Sequence, residues 1–299
     1  MNNFKLTALW ILVLSVVAVS AANANDGVAL LKVDQGARSA GMGSTQIPNS
    51  GDPNAVVHNP ALGMGFQSFA ASFGHTEYWE NVKLESGYFA ANLNPRWAIH
   101  GGIRYATVND LEARISPTSN PTLFDANDLS FKGGMAYSLS PKIDIGLAAG
   151  WIMEKIGSYR GSALNFDIGA VYRLDSNANI TAAATNIGPD FKLELSGMPG
   201  SDDISLPTAY RIGGTYKYRR YLGAAEFVYL DDEAHAHIGA EAAITEIFSI
   251  RSGYMINYST KNFTAGASFR HRNITVDYAF IPFSQNLGTS HLFNLTFSL

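Results

Sequence analysis

His235 and His237 are separated by one residue, Ala236, and Glu241 follows four residues after His237. In an extended chain all three project from one face. Two imidazoles and a carboxylate can ligate a divalent metal. The neighbouring run Asp231-Asp232-Glu233 could likewise hold a cation. Neither group has a spacing that selects an ion, and both equally describe a hydrated polar face, so no metal is assigned. The chain lacks G-x-S-x-G, H-E-x-x-H and a phosphate-binding loop. With no cysteine, disulfides, thiolate ligands, a cysteine nucleophile and a lipoprotein anchor are all excluded. The chain is expected not to be an enzyme and to need no cofactor.

A second set of charged residues is distributed differently. Arg104, Asp167, Arg173, Arg211, Glu241 and Arg251 occur singly, inside stretches where polar and apolar residues alternate. Trp97, Ile99, Gly101, Ile103 and Tyr105 share one face, opposed by Ala98, His100, Gly102 and Arg104. Leu164, Phe166, Ile168, Ala170 and Tyr172 oppose Asn165, Asp167, Gly169 and Arg173. Phe248, Ile250, Ser252, Tyr254 and Ile256 oppose Ser249, Arg251, Gly253 and Asn257. A period of two is the mark of a strand with unlike faces.

From about Phe66 to Leu299 fourteen such strands are predicted, at 67–76, 82–93, 96–107, 128–139, 143–155, 163–174, 179–187, 207–218, 221–230, 234–244, 247–257, 262–271, 273–283 and 290–299. Lys83 and Glu85 blur the second of them. A soluble sandwich would alternate too, but three features favour a transmembrane antiparallel barrel. Tyr and Trp lie near strand ends, as in interfacial girdles. Strand lengths near ten residues suit a tilted membrane strand. Tight turns (Asn94-Pro95, Ser140-Pro141-Lys142, Arg219-Arg220) alternate with the long connections 108–127 and 188–206. Composition agrees: 15% of residues are charged, against ~25% in soluble domains, yet mean hydropathy is zero. Lipid-facing and lumen-facing positions that cancel give that balance. The net charge of −4 speaks against a nucleic-acid partner, which needs a basic patch.

Ahead of the strands, Lys5, the apolar run Leu6 to Ser20 and Ala22-Asn23-Ala24 make a signal peptide over 1–24, so the chain is expected in the outer membrane of a Gram-negative-type cell after cleavage near Ala24. Residues 25–65, rich in small residues and turn formers, are expected to plug the barrel, which spans 66–299. Short helices are predicted at 39–45 and 54–62, with Asp52 capping the second, and Asn59-Pro60 turns the chain. Arg38 is expected to pair with an acidic lumen residue such as Asp167 or Glu241. The polar lumen face is otherwise expected to be hydrated, with both mature termini at the tight-turn end.

The order of motifs resembles a known group. Ala37-Arg38-Ser39-Ala40-Gly41-Met42-Gly43, then Asp52-Pro53-Asn54-Ala55, then Asn59-Pro60-Ala61-Leu62-Gly63 is similar to the N-terminal hatch of FadL-like (long-chain fatty-acid transporter) outer-membrane barrels. Later pieces, among them Leu206-Pro207-Thr208-Ala209-Tyr210-Arg211 and Asp277-Tyr278-Ala279-Phe280, resemble the PorV/PorQ family within that superfamily. The resemblance makes Arg38, Gly41, Gly43, Asn59, Pro60 and Ala61 hatch-motif residues. The apolar last strand, with Phe293, Leu295, Phe297 and Leu299 on one face, resembles the terminal signal read by barrel-assembly machinery, with Leu where Phe is usual.

Three functions follow as expectations. The PorV/PorQ resemblance implies a component of type IX secretion that assists export or surface attachment, with secretion-system proteins or exported cargo as partners. The wider FadL-like resemblance implies a channel for hydrophobic small molecules, for which Leu111, Ile115, Leu123, Phe124, Phe191, Leu193 and Leu195 would form a modest groove. A structural barrel without cargo is the third. Outer-membrane lipid is a partner in each.

Overall fold

The computed structural model describes residues 28–48, 51–78, 82–114, 116 and 118–299. The predicted signal peptide and Ile115 lie outside the described residues. The strands are β1 (Phe69–Glu77), β2 (Lys83–Asn94), β3 (Trp97–Ala113), β4 (Thr122–Ser140), β5 (Ile143–Ile156), β6 (Tyr159–Arg173), β7 (Ala178–Ile187), the two-residue β8 (Glu194–Leu195) and β9 (Met198–Pro199), β10 (Ala209–Tyr218), β11 (Tyr221–Leu230), β12 (Glu233–Ala243), β13 (Phe248–Ile256), β14 (Phe263–His271), β15 (Ile274–Pro282) and β16 (Thr289–Ser298). β8 and β9 form a small hairpin within the long connection. The other fourteen run antiparallel to their neighbours, and β1 pairs with β16 from Ala70↔Ser298 to Glu77↔His291, which closes the sheet. Closure leaves no strand edge to face hydrocarbon, where each unpaired backbone group is costly.

Outward positions carry the apolar residues predicted for them: Ile103, Phe166, Ile168, Phe293, Leu295 and Phe297 are exposed, as are Phe131 and Leu147 on β4 and β5. No helix among the described residues is long and apolar enough to cross a membrane.

The long connection expected at 108–127 is largely strand. β3 and β4 continue to pair through Leu111↔Phe124, Glu112↔Leu123 and Ala113↔Thr122, beyond a bulge between Val108 and Leu111. Asp110 takes φ 58° at that bulge, and its N–H donates to Asp125 Oδ1 at 3.1 Å. Polar turn formers thus mark a kink in a continuing hairpin, because pairing two chains is the simplest way to satisfy their backbone groups.

The N-terminal segment fills the barrel. It makes a 3₁₀ turn at Ala29–Lys32, a helical turn at Ala37–Ala40, and 3₁₀ helices at Pro53–Val57 and Pro60–Gly65. The first helical turn therefore ends before most of the predicted 39–45. The predicted 54–62 helix is split, because Asn59 is extended at φ −162° ahead of Pro60, as the pre-proline restriction requires. Both halves are capped: Asp52 Oδ1 accepts from the Asn54 N–H and Asn59 Oδ1 from the Ala61 N–H, each at 2.9 Å.

The C-terminus lies at the tight-turn end, whereas Val28, the first described residue, packs with Leu84, Ala106, Ile152 and Ala163 at the opposite, long-loop end. The expected mature N-terminus itself lies outside the described residues. From Val28 the described segment descends through the lumen to β1.

Candidate functional site

Two motifs seat the plug by backbone contact with the wall. A Cβ on Gly169 of β6 would stand 1.9 Å from Asn59 Oδ1, and one on Gly146 of β5 would stand 2.2 Å from the Ala61 nitrogen. Across the lumen, a Cβ on Gly253 of β13 would stand 2.1 Å from the Gly43 nitrogen. Only bare backbone permits this approach. Asn59 is buried completely, and its Nδ2 donates to Gln46 Oε1 at 2.9 Å and to the carbonyls of Ala170 and Ala182 at 3.2 Å. Gly43 has φ 70°, and its N–H donates to Thr264 Oγ1 at 2.9 Å. Gly41 leaves room for Arg251, whose Cδ would lie 3.0 Å from a Cβ there.

Around these contacts runs a belt of ion pairs. Of the two carboxylates anticipated for Arg38, Glu241 takes it through both oxygens, Nη2–Oε1 at 2.7 Å and Nε–Oε2 at 3.0 Å. Arg251 lies between Glu241 (3.3 Å) and Asp277 (3.0 Å). Asp167 holds Lys132 at 2.6 and 2.8 Å and accepts from the Asn186 N–H at 2.7 Å. Arg211 meets Glu226 at 3.4 Å, and Glu226 also accepts from Gln46 Nε2 at 2.8 Å. Arg104 is buried and reaches the Leu30 carbonyl at 3.5 Å. Arg173 stands apart, paired with Asp144 near the tight turns.

The lumen face is therefore not the hydrated surface expected. Arg104, Asp167, Arg251, His100, Asn165 and Thr264 are all buried beneath the plug. Alternation places polar residues inside, but cannot tell water from a second polypeptide layer as their neighbour.

The two histidines and Glu241 do not converge. Glu241 is taken by Arg38 and Arg251. The His237 Nδ1–H donates to the Ser44 carbonyl at 3.3 Å, and Nε2 accepts from the Tyr258 hydroxyl at 2.9 Å. His235 stacks on Tyr258 with ring centroids 4.0 Å apart. No group of three metal-ligating side chains exists among the described residues.

Sequence reasoning missed a buried cluster inside the plug. Asp34 bonds the Ser44 hydroxyl and stands 3.4 Å from His58 Nε2, which is also 3.3 Å from Ser39 Oγ. Burial, aided by the Arg211 charge, pushes His58 down to about 4, so it is neutral at physiological pH. The signal available was His58 itself, one residue before Asn59-Pro60. Asp34 had none.

Beyond the polar belt, at the long-loop end, an apolar cluster forms, bordered by the carboxylates of Asp128, which bonds the Leu30 backbone, and Glu154. Leu84, Ala106, Ile152 and Ala163 of the wall, with Phe191, Leu193 and Leu206 of the long connection, enclose Val28, Leu30 and Leu31. This explains the blurred second strand: Leu84 faces this chamber, while Lys83 and Glu85 point out, Glu85 Oε1 lying 2.7 Å from His75 Nδ1. Of the groove residues anticipated, Phe191 and Leu193 line the chamber, whereas Leu123 and Leu195 are exposed. Below the belt, a vestibule of about 690 Å³ opens among the tight turns, lined by Arg38, Asp52, Glu241, Asp277, Lys217 and Arg270.

No family model matches the chain, and no curated protein matches it. Solved structures do. The monoaromatic hydrocarbon channel CymD has a TM-score of 0.66 at 11% identity, covering 89% of this chain and 98% of that one. The Pseudomonas putida toluene transporter TodX has a TM-score of 0.64 at 10% identity, covering 87% and 97%. The Ralstonia pickettii toluene transporter TbuX has a TM-score of 0.58 at 14% identity, covering 86% and 95%. The fold is thus the one these three proteins share, a fourteen-stranded antiparallel barrel with an N-terminal segment in its lumen. The narrower PorV/PorQ assignment gains no support from these likenesses.

Proposed function

We propose that this protein is an outer-membrane channel for hydrophobic small molecules, which enter from the long-loop end. The observation that carries the reading is the apolar chamber above the polar belt, filled by the chain's own Val28, Leu30 and Leu31. An apolar site is what an uncharged, poorly soluble compound needs in order to leave water. A hydrated solute would find no such advantage, and its route is closed by the plug and its ion pairs. The N-terminal turn acts as a resident occupant: a ligand that takes its place recovers the buried contacts the segment gives up. The toluene transporters TodX and TbuX and the monoaromatic hydrocarbon channel CymD, which share the fold, make small aromatics the first class to try.

The export role has no comparable structural feature of its own, and one experiment reads both. Cells carrying the intact chain, or a variant with Leu30 and Leu31 each replaced by Asp, are scored for uptake of labelled toluene and of a long-chain fatty acid, and for surface display of secreted proteins. Uptake that requires the chain and is altered by the variant, with display unchanged, supports the channel. Lost display with unchanged uptake overturns it.

A further inference from the structure

We propose that Arg104 anchors a binding site for one small inorganic anion of halide size, buried between the plug and strands β2 to β4. Its place was described above as part of the belt, but its partners differ in kind from those of its neighbours. The other guanidinium groups between plug and wall each meet a carboxylate: Arg38 of the plug meets Glu241, and Arg211 and Arg251 of the wall meet Glu226 and Asp277. Lys132 is held by Asp167 and by Asn186 Oδ1. Arg104 is 3% exposed and has no carboxylate partner among the described residues; its single polar contact there is the Leu30 carbonyl at 3.5 Å. A lone buried charge is among the costliest features a fold can carry, and a counter-charge removes that cost.

A place for the counter-charge exists. A cavity of about 10 Å³ is lined by Arg104, Tyr88, His100, Ser130 and Lys132, with Val56 and Val57 of the plug as its lid. No carboxylate lines it. Two of its polar atoms, His100 Nε2 and Ser130 Oγ, are buried and make no hydrogen bond within the protein. The Ser130 hydroxyl can present a hydrogen to an anion by rotating, whereas the His100 ring already donates to the Pro60 backbone and presents a second hydrogen only as the imidazolium. Size decides the ligand class. A cavity of this volume holds about one water-sized particle, which admits a halide and excludes sulfate, phosphate or a carboxylate head. Charge then separates halide from water, since water would satisfy the hydroxyl and imidazole yet leave the guanidinium uncompensated. Because Arg104 also reaches Leu30, the anion would fix the strand that the N-terminal turn rests against.

The inference does not depend on the transport reading. Crystals of the wild-type protein grown in sodium bromide should show an anomalous bromide peak within hydrogen-bond distance of Arg104 and Ser130. In solution, wild-type protein should release its plug at a higher temperature in bromide or chloride than in sulfate of equal ionic strength, and Arg104→Met should abolish that difference. Oxygen-sized density without anomalous signal in the cavity would overturn the proposal. So would bromide found only at exposed cations, or a plug-release temperature indifferent to the anion. If Arg104→Met fails to fold, the wild-type bromide measurement still decides.

Discussion

Replacing Glu241 by Gln should loosen the plug without opening the barrel. The carboxylate holds two cations, Arg38 through both oxygens at 2.7 and 3.0 Å and Arg251 at 3.3 Å. Removing one partner of a fully buried pair costs about 3–5 kcal/mol. Here the side chains of Arg38 and Glu241 retain 16% and 12% exposure, and the vestibule lets water reach Arg38. Arg251 also keeps Asp277. The loss should therefore fall lower, at about 2–3 kcal/mol, and act on the plug, because Arg38 belongs to the plug and the strand ladder is untouched. Hydrogen exchange of the amides of 36–47 is the assay. Their protection should drop roughly 30- to 150-fold, as that free energy implies, while amides of β12 and β13 keep theirs. Equal loss in plug and strands would refute the idea that this pair holds a separable element, and so would no loss at all. Arg38→Met with Glu241→Gln should cost less than the two single changes added together, since each alone leaves the other's charge unpaired.

Other consequences concern the seats and faces of the plug. Gly253→Val would drive a side chain into the Gly43 backbone, where a Cβ alone already comes within 2.1 Å; it should unseat the plug and raise leakage of small solutes in planar-bilayer conductance, while Gly223→Val, in open space, should not. Replacing Asn59-Pro60-Ala61 by glycines should raise leakage likewise, and unchanged conductance would mean that this motif is no stopper. On the lipid face, Ile168→Arg should cost about 2–4 kcal/mol near mid-membrane, whereas Ile168→Leu should be tolerated in an unfolding titration. Acid should weaken the plug through His58: a group held at about 4 when folded against an ordinary 6.5 binds its proton more readily once released. Stability is thus complete above pH 6.5 and falls between 6.5 and 4, by about 3 kcal/mol in full, and His58→Gln should flatten that part of the exchange-versus-pH curve.

Much of the barrel was legible because its rule is local. Lipid on one side and a polar interior on the other force a period of two, and that period is visible in Trp97 to Tyr105 or Leu164 to Arg173 without knowledge of any partner strand. Strand ends were less legible. Asn109-Asp110 reads as a loop by composition, yet the hairpin continues past it, since a single bulge absorbs the polar residues. The plug was legible as a plug, through small residues and two capped prolines, but not as a path. Nothing local says that Val28 belongs at the long-loop end, because that position is set by seven apolar side chains on five distant segments. Pairings across the lumen were only partly readable: Arg38 demanded some carboxylate, while the choice of Glu241 over Asp167 depends on which wall the helical turn faces.

The arrangement along the lumen axis bears on what the protein can pass. Working inward from the loops, the interior is first apolar around Leu30 and then charged around Arg104, Asp167 and Arg211. It opens at last into the vestibule beside Arg38 and Glu241. A hydrophobic molecule admitted at the top meets a belt whose ion pairs are already satisfied, so it gains nothing by moving into it. The ion pairs are also the contacts that hold the plug, and the vestibule brings water to the Arg38–Glu241 pair. Inward passage along the axis thus requires the plug to shift and admit water to the belt, at the expense of pairs such as Arg38–Glu241. A rigid plug would confine a ligand to the chamber, and a loosened one would leak solutes of every kind. For a selective channel of this construction, the stability of the ion-pair belt sets the balance between retention and leakage, which is why changes at Glu241 and His58 should move both together.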